Sequence, residues 1–408
     1  MDILPILSTL KRHKTAAGLI VLQIALTCAI VCNALFLISE RVALIQAPTG
    51  LAERELLVLN VSSIVRAENP EAQTRVDLAA LRALPGVKSV TLMNQLPFAN
   101  SFSVSGVRKT AGDAESAVSA ANYSAGEGWL QTLGLRLAAG RDFEPADYVD
   151  GAAAFKDGQA KIASIILNKR LAERLFPGGS ALGQTVYIYG DAPQQVVGVL
   201  EELPSPFPKA RSDENLYTMV MPIRPSYRSG PYVLRVDAGQ RDATLKAAAA
   251  ALQKSGGPRR VLREQKRFED MRDAYYQQDR FMVGLLIAVC LALLAVTAFG
   301  IVGLASFWVQ QRSRMIGTRR ALGATRGQIL RYFQTENFLL SSIGIALGLS
   351  GAYAINLLLM TQYELPRLPL LYLPAGALCL WALGQLAVLG PARRAAALPP
   401  MLVMRGTA

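Results

Sequence analysis

A cluster of arginines between two long apolar stretches is the part of this sequence with the most recognisable chemistry. Six arginines and no acidic residue occur from Gln311 to Arg331, namely Arg312, Arg314, Arg319, Arg320, Arg326 and Arg331. A short loop with this bias stays on the cytoplasmic side of a membrane by the positive-inside rule. The same charges can also surround a docking contact. The sequence therefore leaves two roles open for this loop, orientation of the chain and binding of a partner.

Residues for enzymatic chemistry are missing from the rest of the sequence. The only histidine is His13, near the N-terminus, which excludes a Ser-His-Asp triad from the long segment after the first apolar stretch. The sequence has no Gly-x-x-x-x-Gly-Lys-Ser/Thr phosphate-binding loop and no Cys or His cluster. Asp142, Glu144 and Asp147 could form a carboxylate site, but acids grouped on a turn usually form a solvated surface. We therefore expect no catalytic activity, bound cofactor or metal in this chain.

The four cysteines lie within apolar stretches, at Cys28, Cys32, Cys290 and Cys379. The long segment between the first two stretches has none, so disulfides cannot stabilise it. Cys28 and Cys32 are one helical turn apart, which would suit a metal or redox pair. Buried apolar filling is the favoured interpretation.

Four apolar stretches are long enough to cross a bilayer, whose hydrocarbon core of about 30 Å needs roughly 20 helical residues. They are residues 16–39, 281–309, 332–360 and 370–389. The first exceeds the ~7 to 15 apolar residues of a cleaved signal peptide, so we expect it to be retained. The sequence thus predicts an α-helical membrane protein with four transmembrane helices and a large α+β extracytoplasmic domain between the first two.

Cytoplasmic placement of the arginine-rich segment, residues 310–331, determines the side of every other segment. Residues 40–280 and the short loop 361–369 are then external, and the tails 1–15 and 390–408 are cytoplasmic. The two tails and the loop together carry +11 of the net charge of +13. The basic composition therefore reflects membrane orientation, and we expect no nucleic-acid partner.

The external segment has the patterns of a folded domain. Strand or helix periodicity occurs on both sides of a middle section, at Glu55–Ser63, Asp77–Leu84, Val87–Met93, Pro231–Val236 and Asp242–Gln253. The middle section, approximately residues 122–206, has its own strand and helix patterns and a hairpin signal at Gly190. We therefore predict a split α+β domain with a second subdomain inserted.

The arginine-rich segment also carries signals for a short rigid helix. Gly323 suits a left-handed cap that ends such a helix. Thr325 and Gln328 have the spacing of a capping box, which would start the next helix. The exposed face of the short helix is expected to combine an apolar contact with a basic rim, formed by Ile316, Arg319, Arg320 and Leu322.

Small and polar residues within the apolar stretches indicate how the helices pack. Glycines that allow close helix approach occur at Gly300, Gly303, Gly344 and Gly348. Packing within one chain is favoured over a seam between two chains. Glu336 lies near Arg331 and is expected at the membrane interface, not in a proton-transfer site.

Five segments, in order along nearly the whole chain, resemble the permease subunits of the MacB/FtsX superfamily, the mechanotransmission or type VII ABC transporters. They are YSAGEGWLQTLGLRLAAGRDF, IILNKRLAERLFPGGSALGQTVYI, QQVVGVL, RSRMIGTRRALGATRGQIL and PARRAAALPPMLVMRG. The resemblance implies a protein of the bacterial inner membrane whose external segment is a MacB-like periplasmic core. It also implies an ATPase-coupling segment formed by Arg314, Met315, Ile316, Gly317, Arg319, Arg320, Ala321, Leu322 and Gly323.

The resemblance further implies partners. Two cytosolic ABC ATPase domains would bind ATP and Mg²⁺, on a separate polypeptide, and a second permease chain, identical or paralogous, would meet this one among the membrane lipids. Export or extraction of a substrate is the favoured function, with a periplasmic adaptor and an outer-membrane channel as further partners. The alternative is an FtsX-like signalling subunit that controls an external partner such as a cell-wall hydrolase. Related permeases commonly carry Glu where this chain has Met315, and a hydrophobic residue where it has Thr318. Loss of the acid removes one possible ion pair with the ATPase, so the two permeases could couple differently. The arginines and the Ala-Leu-Gly-Ala turn remain, and we do not expect an inactive subunit.

Overall fold

The structure is a computed structural model that describes residues 14–63, 69–99, 102–113, 115–154, 162–208, 216–256, 260–363 and 368–397. The chain divides into two units, which we call the membrane unit (residues 1–45 and 278–408) and the external domain (residues 46–277). The helices are α1 (Lys14–Gln46), α2 (Pro70–Arg82), α3 (Trp129–Leu133), α4 (Gly151–Ala154), α5 (Lys169–Leu175), α6 (Arg241–Gly256), α7 (Phe268–Tyr275), α8 (Gln277–Gln311), α9 (Ser313–Ala321), α10 (Arg326–Tyr363) and α11 (Tyr372–Ala397).

The strands all belong to the external domain. They are β1 (Leu56–Ser63), β2 (Val87–Leu92), β3 (Val104–Val107), β4 (Val118–Ser124), β5 (Leu137–Gly140), β6 (Val149–Asp150), β7 (Ser164–Asn168), β8 (Thr185–Tyr187), β9 (Pro193–Leu200), β10 (Thr218–Met221), β11 (Ile223–Arg224), β12 (Tyr232–Val236) and β13 (Arg260–Arg267).

Four helices, α1, α8, α10 and α11, are long and apolar enough to cross a membrane. The shortest of them has 26 residues, about 39 Å at 1.5 Å per residue, which exceeds the hydrocarbon thickness of about 30 Å. Their ends differ from the apolar stretches of the sequence, because polar residues continue a helix beyond the point where hydropathy marks it. The described part of the chain includes little of the two expected tails, since it begins at Lys14 and ends at Ala397.

Helix α1 packs against the other three long helices through polar contacts as well as apolar ones. The Gln23 side-chain amide donates to the Val296 carbonyl of α8 at 3.1 Å. The Asn33 amide donates to the Ala352 carbonyl of α10 at 3.1 Å, and Ser39 bonds to the Tyr372 hydroxyl of α11 at 2.6 Å. Polar side chains in a membrane are costly unless they are paired, so these bonds position α1 within the bundle.

The external domain is a split α+β fold, as the sequence predicts. Its four-stranded antiparallel sheet has the order β13-β1-β12-β2, so it unites strands from both ends of the domain. Helices α2 and α6 bury one face of this sheet around Leu57, Leu59, Tyr232 and Leu234. The strands between β2 and β12 form separate sheets.

The inserted part is larger than the expected range, residues 122–206. A seven-stranded sheet has the order β3-β4-β10-β7-β9-β5, with β8 paired to β9, and extends from Val104 to Met221. The β8–β9 hairpin lies where Gly190 indicates it. Strands β3 and β4, VSGV and VSAANYS, are rich in small and polar residues. Their patterns therefore lack the apolar alternation by which sequence identifies a strand.

Two further elements differ from expectation. Helix α2 begins at Pro70, seven residues before the predicted Asp77, because Asn69 caps it by accepting a hydrogen bond from the Ala72 N–H at 2.9 Å. Strand β13, RVLREQKR, has five charged residues among its eight. It forms an edge of the four-stranded sheet, where charged side chains are common.

Candidate functional site

The arginine-rich segment folds as a short helix, α9, held at both ends. One residue, Arg312, separates α9 from the end of α8. At the other end the Gly323 N–H donates to the Arg320 carbonyl at 3.1 Å and the Ala324 N–H to the Arg319 carbonyl at 3.0 Å. These two bonds form a Schellman motif, in which the cap residue has a positive φ. Gly323 has φ +98°, a conformation that glycine adopts without strain.

The next helix, α10, starts with a capping box. The Gln328 side-chain oxygen accepts a hydrogen bond from the Thr325 N–H at 2.9 Å. In return the Thr325 hydroxyl oxygen accepts one from the Gln328 N–H at 3.3 Å. Both bonds of the motif are therefore present, and α9 is joined to α10 by a short, well-defined turn.

One face of α9 is directed into the membrane unit. Ile316 is only 4% exposed and joins an apolar core with Phe333 of α10 and Ala395 of α11. Gly317 is also buried. The expectation that Ile316 contributes to an exposed contact is therefore wrong, because the helical repeat places it on the side that packs between the long helices.

Arg312 belongs to this inner face and is not part of the basic rim. Its guanidinium Nη1 contacts both carboxylate oxygens of Glu336, at 3.0 and 2.9 Å. The side chains of Arg312 and Glu336 are 8% and 1% exposed, and the guanidinium also lies 5.1 Å from the ring centre of Trp308. Glu336 is thus buried, and its ion-pair partner is Arg312. An acid within an apolar stretch is itself a signal for such a partner.

Two further arginines are held within the chain. Arg320 Nη1 donates to the Ala396 carbonyl at 3.0 Å, in the last turn of α11. A cation in this position also interacts favourably with the negative end of the helix dipole. The Arg319 guanidinium lies 5.3 Å from the ring centre of Tyr332 in α10, while its side chain remains on the surface. Arg320 therefore acts mainly as a link between α9 and α11.

The opposite side of α9 is a continuous exposed surface, which we call the coupling face. It consists of Arg314, Met315, Thr318, Arg319 and Leu322. Their spacing of one, three, one and three residues is that of a single helical face. Met315, next to Arg314, is 40% exposed, and Leu322, three residues after Arg319, is 83% exposed. Ala321 and Gly323 are exposed beside this face.

Three of the four glycines named from the sequence, Gly300, Gly344 and Gly348, face α1 of the same chain. A Cβ added to Gly300 would lie 2.7 Å from the Gln23 side-chain oxygen, and one added to Gly344 would lie 2.8 Å from Ile24 Cβ. At Gly348 the added atom would lie 2.5 Å from Cys28 Cβ. At Gly303 it would meet no described atom within 4 Å.

The external acids have structural partners. Asp142 accepts hydrogen bonds from the Trp129 indole N–H at 3.1 Å and the Phe143 N–H at 2.7 Å, and burial raises its pKa. Asp147 accepts from Arg141 Nη1 at 2.8 Å. Within the described residues, no group of three or more His, Cys, Asp or Glu side chains could hold a metal ion. Cys28 and Cys32 are fully buried in the core of the membrane unit.

Comparison with protein families assigns both parts of the chain. The model of the MacB-like periplasmic core domain matches residues 20–254. The model of the FtsX-like permease C-terminal region matches residues 286–400. The second match contains α9 and the coupling face.

Several known proteins are similar to this chain in sequence. The macrolide export ATP-binding/permease protein MacB of Chromobacterium violaceum is 27% identical over 296 residues, covering 70% of this chain and 43% of that protein. The uncharacterized ABC transporter permease YknZ of Bacillus subtilis is 24% identical over 348 residues, covering 83% and 82%. The pyoverdine export ATP-binding/permease protein PvdT of Pseudomonas aeruginosa is 25% identical over 273 residues, covering 61% and 38%. The chain thus spans less than half the length of these MacB and PvdT relatives.

Solved structures are similar to part of the chain. The extracellular domain of the transporter YknZ from Gram-positive bacteria gives a TM-score of 0.33 at 21% identity, covering 51% of this chain and 100% of that one. The periplasmic region of MacB from Actinobacillus actinomycetemcomitans gives 0.32 at 16% identity, covering 55% and 94%. The two family matches together establish that this chain belongs to the MacB/FtsX family of ABC transporter permeases, with transmembrane helices and a MacB-like periplasmic domain.

Proposed function

We propose that the chain is the permease subunit of an ATP-driven transporter of the bacterial inner membrane, and that a cytosolic ABC ATPase docks on the coupling face. The division of α9 into two faces carries this proposal. A loop that served only to orient the chain would need arginines but no ordered, exposed apolar contact. Met315 and Leu322 are exposed apolar side chains on the same face as Arg314 and Arg319, which suits a partner groove with an apolar floor and an acidic rim.

The connections of α9 suit the transmission of movement. A displacement of α9 reaches α8 through Arg312, α10 through the capping box, and α11 through the bond from Arg320 to Ala396. In the chain only Tyr276 separates α7 of the external domain from α8. ATP binding and hydrolysis on the partner, with Mg²⁺, would therefore drive the external domain through the long helices.

Export from the periplasm or outer leaflet is the function that the relatives favour, since two are described as macrolide and pyoverdine exporters. The working complex would contain two permease chains, identical or paralogous, among the membrane lipids. A periplasmic adaptor and an outer-membrane channel would complete an export route. Copurification of a cell-wall hydrolase in their place would instead favour the signalling alternative.

The docking proposal is tested by Arg319→Glu and Leu322→Asp, with Arg394→Glu as the matched control. Arg394 is exposed in the last turn of α11 and is not a residue of the coupling face, so its reversal provides an equal change of charge. Loss of an interface anchor costs about 2 kcal/mol or more, roughly a 30-fold loss of affinity. Recovery of the coexpressed ATPase should fall in both test variants while membrane abundance stays normal. Cysteine labelling at the exposed positions 326 and 170 must show unchanged orientation. Normal recovery of the ATPase in both test variants would refute the proposal.

A further inference from the structure

We propose that the external domain has a binding site for a small anionic ligand, in a cavity over one face of its four-stranded sheet. The cavity, which we call the sheet cavity, has a volume of about 760 Å³. Ligand sites in proteins commonly have about 300 to 1,000 Å³. Strands β1 and β13 form its floor. Residues 94–99, residues 227–231 and helix α7 form its walls.

The floor is the sheet face turned away from α2 and α6. Leu57 and Leu59 on β1 belong to the core under those helices. Val58 and Asn60 alternate with them and line the cavity, because successive side chains of a strand point to opposite faces. The floor is therefore part of the sheet face that α2 and α6 do not cover.

A break in strand pairing adds a cation to this face. Asn60 pairs with Glu264 and Val61 pairs with Leu262, so Arg263 between them has no partner residue on β1. Such a bulge places two neighbouring side chains on one side of the sheet, and bulges often redirect a side chain at a functional site. Arg263 and Glu264 both line the cavity, as this geometry requires.

The charges of the cavity do not balance. Lys266 pairs with Glu264 at 2.5 Å, which leaves the guanidinium groups of Arg228 and Arg263. Within the described part of the chain, neither has a hydrogen bond or an ion pair, whereas Arg235 on β12 pairs with Glu55 at 2.6 Å. An arginine fork binds a carboxylate or phosphate through two parallel hydrogen bonds. Two such groups on one cavity thus select an anion.

An aromatic wall adds an apolar contact. Phe98 has φ +64°, the only positive value among the described residues other than glycine. Its ring packs against Phe268, Tyr275 and Tyr276, with ring centres 5.8, 5.4 and 5.6 Å away. Phe98 and Tyr275 line the cavity. Unfavourable backbone held by packing recurs at ligand sites. The ligand chemistry is therefore a carboxylate or phosphate attached to an aromatic or other apolar group.

The test uses the full chain in phosphatidylcholine nanodiscs and two fluorescent probes. N-dansyl-phenylalanine carries a carboxylate, and N-dansyl-phenylalaninamide has the same aromatic groups without the charge. Fluorescence anisotropy, corrected for empty nanodiscs, should show the acid binding at least about tenfold more tightly than the amide, the effect of about 1.4 kcal/mol of charge recognition. Displacement by phenylacetate or by phenyl phosphate identifies the preferred anionic group. Repetition with phosphatidylglycerol nanodiscs shows whether a lipid headgroup competes.

The double variant Arg228→Gln/Arg263→Gln should lose the preference for the acid. Arg170→Gln/Arg174→Gln on α5 is the matched control, because it removes two exposed charges of the same domain outside the cavity. Ala274→Trp, which fills the cavity from α7, should weaken both probes. Equal binding of acid and amide to the unaltered chain, or an unchanged preference in the Arg228/Arg263 variant, would overturn the proposal. The assay needs neither ATP nor an ATPase, so its outcome is independent of the docking proposal.

Discussion

Removal of either partner of the buried pair between Arg312 and Glu336 should destabilise the membrane unit strongly. The guanidinium and carboxylate are in direct contact, at 2.9 and 3.0 Å, and almost fully buried. Two unit charges about 4 Å apart attract by roughly 4 kcal/mol at an effective dielectric constant of about 20. Each charge also loses its hydration on burial, so the whole pair contributes less than this attraction.

The single and double variants therefore have different expected effects. Glu336→Met leaves the Arg312 charge buried without compensation, and we expect a loss of about 3 to 5 kcal/mol. Arg312→Met should cost a similar amount, because it leaves the carboxylate alone. The double variant Arg312→Met/Glu336→Met removes both charges and should recover most of the loss. Arg314→Met serves as control, since this neighbouring side chain is exposed on the coupling face.

Unfolding of the purified chain by sodium dodecyl sulfate, followed by tryptophan fluorescence, measures these differences. Trp308 lies next to the guanidinium and should report local loss of structure. The parent, the two single variants and the double variant form a double-mutant cycle, from which the coupling energy of the two side chains is obtained. If both single variants stayed within about 1 kcal/mol of the parent, or if the losses simply added in the double variant, the reasoning would be refuted.

Two further predictions concern packing and pH. Gly348→Ala should destabilise the bundle by about 1 to 3 kcal/mol, because the new Cβ would lie 2.5 Å from the Cβ of Cys28. Gly303→Ala would meet no described atom within 4 Å, so it should be neutral or stabilising in the same detergent-unfolding assay. Equal effects of the two substitutions would contradict this account. The hydrogen bond from Arg235 lowers the pKa of Glu55 in the folded state. The contribution of this pair to the stability of the external domain is therefore full above the unfolded pKa of about 4.3, and it is lost as pH falls through the lower folded pKa. Calorimetry should therefore show that Glu55→Gln reduces the acid sensitivity of the external domain, and an unchanged pH profile would count against the pair.

The split architecture of the external domain could be predicted because its signals are local. The turn at Gly134, φ +74°, and the β8–β9 hairpin are specified by a few neighbouring residues. The extent of the insertion could not be predicted, because β4 is held by parallel pairing with β10, nearly a hundred residues later in the chain. Asn69 and Pro70 are typical residues for the start of a helix and could have identified the start of α2. Apolar periodicity alone does not contain this information.

The roles of single side chains in the candidate site also could not be predicted from local sequence. Charge counting identifies an arginine-rich loop, but it treats Arg312, Arg314 and Arg320 as equivalent. The structure separates them into a buried partner of Glu336, an exposed residue and a link to α11. Their different roles follow from the direction of α9 relative to three other helices. This direction is a tertiary property that loop composition does not contain.

The coupling face also gives a physical meaning to Met315. Related permeases commonly carry Glu at this position, where an acid would lie beside Arg314 and Arg319 and offset part of their charge. Met315 is instead an exposed apolar side chain on the same face as Leu322, so no negative charge offsets Arg314 and Arg319 on this face. Exposed charge pairs are screened by salt, whereas an apolar contact is not. We therefore expect ATPase binding by this chain to retain an apolar component at high salt. Met315→Glu should make binding weaker and less salt-dependent, because it lowers the net charge that would face the proposed acidic rim of the partner groove. Stronger binding, or an unchanged salt dependence, would show that the partner groove lacks that acidic rim.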